Sequence, residues 1–267
     1  MKPILNTLAV FIITVCCNNA AAFLPEANPV PGGVAVVPLI KSQNEIPQAW
    51  FGQRRLLVTR EADIWYAIIG LGIDQVPGQY IIKFSTPSLR ETTQPFNVYA
   101  NNSDLSKVQD SNNGNDDSVV NKQQKLEFLN PLQRLWTDTN TPDLPLGAPV
   151  TDTTAHLRTD NTYFGLTYNL TSDIDVLAPA AGTVILVLQL DESGVALAID
   201  HGQGLISLFP NLNNSLVTLD QKLTKSENVA VASVNEKDAQ TALLWVVLLN
   251  GNQVNPYNLM FKTKSER

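Results

Sequence analysis

Cysteine is almost missing from this chain. Its two cysteines, Cys16 and Cys17, sit side by side near the start of a 267-residue sequence. Everything downstream must therefore be held together by packing, without a disulfide framework. Histidine is as scarce, with His156 and His201 alone. With so few imidazoles and no downstream thiol, no Ser/His/Asp or Cys/His arrangement offers a nucleophile. No G-x-x-x-x-G-K-[ST] loop is present to cradle a phosphate. Carboxylates are plentiful, but no spacing sets two of them apart as a glycosidase pair. Positive charge is in the minority: 18 Lys and Arg against 25 Asp and Glu leave a net charge of -7. Such a surface repels phosphate backbones and anionic lipid, which argues against nucleic acid as a partner. After the N-terminal stretch no segment is apolar enough to span a bilayer, which takes about 20 residues.

What is present is 44% hydrophobic, enough for real cores and for two domains of ordinary size. Lys2, the apolar stretch from Ile4 to Cys17 and the small residues Ala20-Ala21-Ala22 read as an export signal over residues 1–22. Short apolar stretches rich in β-branched and aromatic residues follow: Val34–Ile40, Arg55–Thr59, Asp63–Leu71, Gln79–Phe84 and Pro95–Tyr99. Five strands at this spacing predict a small antiparallel sandwich over residues 23–100, with Trp65 and Tyr66 in its packing. Asn, Asp, Ser and Lys then crowd the stretch Asn101 to Gln124, and a polar linker is expected over 101–135, ending in a short helical pattern from Leu126 to Trp136. From Pro145 β signals return. Val176–Leu188, Val195–Asp200, Gly204–Phe209, Asn228–Val234 and Leu243–Leu249 are apolar, and Asn250-Gly251-Asn252 suits a tight hairpin turn. The whole chain reads as mainly β, with a second domain over 136–267.

Three blocks of this second half carry a resemblance. They are Asp175-Val176-Leu177-Ala178-Pro179-Ala180-Ala181-Gly182-Thr183-Val184, Ile199-Asp200-His201-Gly202-Gln203-Gly204, and Leu244-Trp245-Val246 with Asn250-Gly251 and Val254-Asn255-Pro256. In order and spacing they resemble the M23 metallopeptidases, also called LytM or lysostaphin-like domains, which cut peptide cross-links in bacterial peptidoglycan. Asn28-Pro29-Val30-Pro31-Gly32-Gly33, Trp65-Tyr66-Ala67-Ile68-Ile69-Gly70 and Pro77-Gly78 resemble an Ig-like domain that precedes the catalytic domain in some M23 proteins. The resemblance implies an Ig-like β-sandwich followed by an M23-like antiparallel β domain.

The same resemblance implies a zinc held by H-x-x-x-D and by the second histidine of H-x-H, with two further histidines assisting catalysis. Carried onto this chain, H-x-x-x-D falls on Thr171 to Asp175, H-x-H on Ala242 to Leu244, and the remaining histidine on Asn211. Only Asp175 keeps the family's residue type, and one carboxylate does not hold zinc. The expected site is therefore a degenerate groove of Thr171, Asp175, Asn211, Ala242 and Leu244, with no catalytic residue, no metal ligand set and no zinc. His201 belongs to the D-H-G turn, where a structural hydrogen bond is expected. His156 is expected at the surface, and His156, Asp152, Asp175 and His201 lack the spacing of a zinc signature. The implied function is that of an exported pseudo-peptidase in a bacterial periplasm or at the cell surface. It would bind peptidoglycan stem peptides or regulate a wall-hydrolase partner. The alternatives are an exported structural or adhesive binding module and an active endopeptidase with an unrecognised site.

Overall fold

The structure is a computed structural model that describes residues 23–101, 127, 129–138, 142–151, 154–159, 162–190, 194–234 and 242–260. The expected export signal and residues 102–126 of the expected linker lie outside these residues.

Seven strands form the N-terminal half: β1 (Val34–Lys41), β2 (Gln48–Phe51), β3 (Arg54–Arg55), β4 (Leu57–Glu61), β5 (Ile64–Gly70), β6 (Gly78–Ser85) and β7 (Thr92–Val98). They make a three-stranded sheet, β1-β5-β4, and a four-stranded one, β3-β2-β6-β7, all antiparallel. The four-stranded sheet alternates as a half-buried sheet should. Ile82 and Phe84 of β6 are buried while Ile81 is exposed. They meet Ala35, Val37, Ala67 and Ile69 of the other sheet in one apolar cluster.

The three-stranded sheet is covered on both faces, which explains the unbroken apolar run Ala67-Ile68-Ile69. Its opposite face presents Val34, Leu57 and Ile68, which join a cluster containing Trp245, Leu249 and Val254 of the C-terminal half. The two halves thus share a core. Gly70 sits where their backbones meet, since a Cβ there would run into the Leu249 carbonyl. Polar bonds cross the same seam: Asn252 Nδ2 donates to Gly70 O at 2.7 Å, Asn255 N to Gly32 O at 2.7 Å, and Val58 N to Gln203 Oε1 at 2.9 Å.

Among the described residues ten strands form the C-terminal half: β8 (Ala155–Thr159), β9 (Phe164–Asn169), β10 (Ile174–Leu177), β11 (Gly182–Leu190), β12 (Gly194–Gly202), β13 (Leu205–Leu212), β14 (Lys222–Leu223), β15 (Asn228–Ala232), β16 (Ala242–Leu249) and β17 (Asn252–Val254). The main sheet runs β14-β11-β12-β13-β16-β9-β8, with β17 hairpinned onto β16. A two-stranded sheet, β10-β15, stands apart from it. The sequence run Val176–Leu188 is therefore two strands in two sheets, divided at Pro179, and β8 and β9 precede the first strand singled out from sequence in this half.

β16 is buried on both sides. Leu243, Trp245, Val247 and Leu249 face the shared core. Leu244, Val246 and Leu248 face a second cluster with Ala196, Ala198, Ile206 and Leu208 of the neighbouring strands. Leu129 and Leu132 cover that second face, with half-buried Leu135 beside them. They belong to a short helical turn in which Gln133 N donates to Leu129 O at 3.0 Å. The end of the sequence-predicted linker thus forms part of a core.

Candidate functional site

The residues singled out from sequence separate into two places. Asn211, Ala242 and Leu244 come together at the β13–β16 junction. Regular β13–β16 pairing runs from Leu205↔Leu249 to Leu208↔Val246. Pro210 follows, with no N–H to continue the ladder. The Asn211 side chain takes over: its Nδ2 donates to Ala242 O at 2.9 Å and its Oδ1 accepts from Leu244 N at 3.2 Å. An amide carries one donor and one acceptor side, so it substitutes for a peptide group there. Leu244 is 5% exposed, turned into the apolar cluster under Leu129 and Leu132. Ala242 is half-buried and has no polar side-chain atom to offer.

Asp175 lies elsewhere, on β10, paired with Val231 of β15. It is exposed and lines a concavity of about 400 Å³ with Thr151, Asp173, Ile174, Leu177 and Val231. Asp173 is already used, since its Oδ1 accepts from Val234 N at 2.9 Å. Thr171 is exposed in the turn between β9 and β10. Among the described residues no group of three or more His, Cys, Asp or Glu is placed to hold a metal ion.

Zinc can be tested against this donor set. The ion needs three or four deprotonated or imidazole donors in fixed geometry. The five positions lie in two places and between them offer one carboxylate, a neutral hydroxyl, an amide already bonded to backbone, and two aliphatic side chains. They do not fit zinc.

The two histidines are far apart. β12, which carries His201, and β8, which carries His156, are four strand spacings apart in the sheet, about 19 Å at ~4.8 Å each. His156 is exposed. His201 is 1% exposed, and its Nδ1 lies 2.9 Å from Ala181 O and its Nε2 2.9 Å from Ser207 Oγ. A carbonyl only accepts, so Nδ1 carries the proton and Nε2 accepts from the Ser207 hydroxyl. The ring is fully satisfied as a neutral imidazole, and burial pushes its pKa down to about 4, against the weaker upward pull of the Ala181 carbonyl and of Asp200. Asp200 completes the D-H-G turn: Oδ1 accepts from Gly202 N at 2.9 Å and Oδ2 from Thr137 Oγ1 at 2.6 Å.

A pH dependence follows. As pH falls, the unfolded chain protonates its histidine near 6.5, while the folded chain resists until about 4. The His201 contribution to stability is complete above the unfolded value, shrinks as pH falls between the two, and is then constant. The loss amounts to about 3 kcal/mol. Urea denaturation at pH 7 and pH 4 will show it, and a His201→Asn chain will lose that part of the slope. An unchanged slope would remove this histidine from the pH response.

Sequence reasoning missed the Asn211 fork, the Ser207 partner of His201 and the cover over Leu244. The nearest signal was Pro210 before Asn211, which marks a broken ladder but not what repairs it.

Comparison with known proteins bears on both halves. Residues 27–101 match the peptidase family M23 N-terminal domain, and residues 161–256 match peptidase family M23. A crystal structure described as a peptidase M23 from Pseudomonas aeruginosa is similar over 88% of this chain and 96% of that one, at 26% identity and a TM-score of 0.70. More distant are Csd3 of Helicobacter pylori, at 13% identity over 79% of this chain and 47% of that one with a TM-score of 0.40, and a zinc-containing peptidase from Vibrio cholerae, at 13% identity over 66% and 49% with a TM-score of 0.34. No curated protein matches. The M23 N-terminal domain and the M23 domain follow one another in this mainly β chain, which belongs to peptidase family M23.

Proposed function

We propose that the chain is an exported, catalytically inactive M23-family protein that works by binding. It holds peptidoglycan stem peptides, or a wall hydrolase that acts on them, without cutting. One observation carries the reading: at the positions where the resemblance implies zinc and its helpers, Asn211 and Leu244 are built into the fold itself. An amide that closes a sheet and a leucine that fills a core are committed to stability, and neither is free to bind an ion or move a proton. The exposed Asp175 concavity remains a polar surface of ligand size, since pockets for small ligands run from about 300 to 1,000 Å³.

Co-sedimentation with purified sacculi tests it. The expected result is retention on the pellet with no release of soluble peptide fragments. Steady release of fragments would make the chain a peptidase. Neither retention nor release would move the reading to an exported structural or adhesive module.

A further inference from the structure

A second concavity lies at the seam between the two halves. It measures about 560 Å³ and is lined by Arg54, Arg55 and Arg134, with Trp136, Gln53 and Gln133 among its other walls. Three of the chain's seven arginines meet here, on a protein of net charge -7. Like charges gathered in one place repel, so the arrangement needs either compensation or a purpose.

Compensation is partial. Arg55 is paired: its Nη1 lies 3.1 Å from Asp138 Oδ2, and its guanidinium sits over the Trp136 ring, 5.1 Å from the centroid. Asp138 also accepts from Trp136 Nε1 at 3.1 Å, which fixes indole, carboxylate and guanidinium as one unit. Arg54 and Arg134 form no ion pair among the described residues. Arg54 is nevertheless held in place, because its Nη1 donates to Asn250 O at 2.9 Å and reaches Asn252 Oδ1 at 3.4 Å. Those neutral acceptors position the group without neutralising it. Gly251 allows the approach, since a Cβ there would collide with Arg54 Nη1 and with Gln133 O. A tethered guanidinium keeps its remaining N–H groups for a second partner, and its planar fork matches a carboxylate.

We propose that this seam concavity is a carboxylate-binding site that takes the acidic end of a peptide. Arg54 and Arg134 bind the carboxylate. The Gln53 and Gln133 amides meet neighbouring peptide groups, and the Arg55–Trp136–Asp138 unit forms the rigid wall. The peptide class rests on the wall-peptide reading given under Proposed function. The site itself rests on the seam geometry and is independent of the Asp175 concavity.

The test uses the full chain and isothermal titration with a soluble stem peptide, the same peptide with its carboxylates amidated, and inorganic phosphate. Arg134→Gln, on an exposed side chain with no ion pair among the described residues, is expected to leave the fold intact. Arg54→Gln is measured beside it, with melting curves to show that both variants are folded. Each substitution is expected to weaken the acidic peptide about tenfold or more, and amidation to weaken it similarly. Equal binding by natural and Arg134→Gln chains, equal binding of the amidated peptide, or displacement by millimolar phosphate would each overturn the proposal. Sacculi separate the two readings. If natural and substituted chains bind sacculi equally, wall binding stands and this site is wrong. If the acidic peptide binds through the arginines but sacculi do not, the site stands and its ligand is another acidic peptide.

Discussion

Ile68→Ala will weaken the whole molecule, not only the half that carries it. Ile68 is fully buried in the three-stranded N-terminal sheet. Its cluster also holds Trp245, Leu249 and Val254, from the far end of the chain. Truncating a buried isoleucine to alanine costs about 2–5 kcal/mol, through lost transfer free energy and the cavity left behind. Because the cluster is common, the loss falls on one cooperative unit. Thermal unfolding followed by far-UV circular dichroism and by tryptophan fluorescence is expected to move together, by roughly 10 °C. Two transitions, with only one shifted, would mean that the halves fold separately. The same packing bears on proteolysis within Asn101 to Gln124, where composition predicts cleavage. A single cut there is expected to leave the two pieces associated through the seam.

Leu244→His will destabilise the chain by about 3–5 kcal/mol and will not make an enzyme. The substitution restores a ligand type that the M23 resemblance implies. It does so at a position 5% exposed, between aliphatic neighbours and under Leu129 and Leu132. The imidazole loses the leucine packing and carries a polar ring into a cluster that is apolar apart from the Tyr163 hydroxyl. Adding Thr171→His supplies a second imidazole, and Asn211→His with Ala242→His would supply the catalytic pair. Asn211→His, however, removes the amide that ties β13 to β16. Zinc can repay stability only as far as it binds the folded chain better than the unfolded one. Melting curves with and without zinc are expected to show a gain smaller than the loss caused by the substitutions, and sacculi to be cleaved far more slowly than by an intact family member. Full recovery of stability together with rapid cleavage would mean that a working groove survives beneath the substitutions.

Much of the fold was legible because local chemistry decided it. Asn250-Gly251-Asn252 reads as a tight turn, and Asn250 and Gly251 take φ of 51° and 81° to join β16 to β17. The N-terminal strands stand out through β-branched and aromatic residues, and they form the expected two sheets. The sequence pattern places Trp65 and Tyr66 in the packing. Both are half-buried, and Trp65 also donates its Nε1 to Ser42 O at 3.1 Å under the Arg60 guanidinium. β8 and β9 escaped because polar residues interrupt them, His156 and Arg158 in β8 and Thr167 in β9, and because they are held by pairing, β8 with β9 and β9 with β16. Leu129 and Leu132 looked like the end of a linker, since the sheet face they cover lies more than sixty residues ahead in the chain. The candidate site was legible only in what it lacked. Neither of the chain's two histidines, His156 and His201, stands at a position where the M23 resemblance implies a ligand. That Asn211 became a backbone surrogate and Leu244 a core residue needed the register of β13 and β16.

Elemental analysis of the full chain, purified without chelator and then equilibrated with micromolar zinc, bears on all of this at once. With Asp175 on β10, apart from Asn211, Ala242 and Leu244 at the β13–β16 junction, and no imidazole at any of these positions, the protein should hold less than about one zinc per ten chains after desalting. Retention of one zinc per chain, lost on adding chelator with a fall in melting temperature, would contradict a catalytically inactive M23-family protein and restore the metallopeptidase.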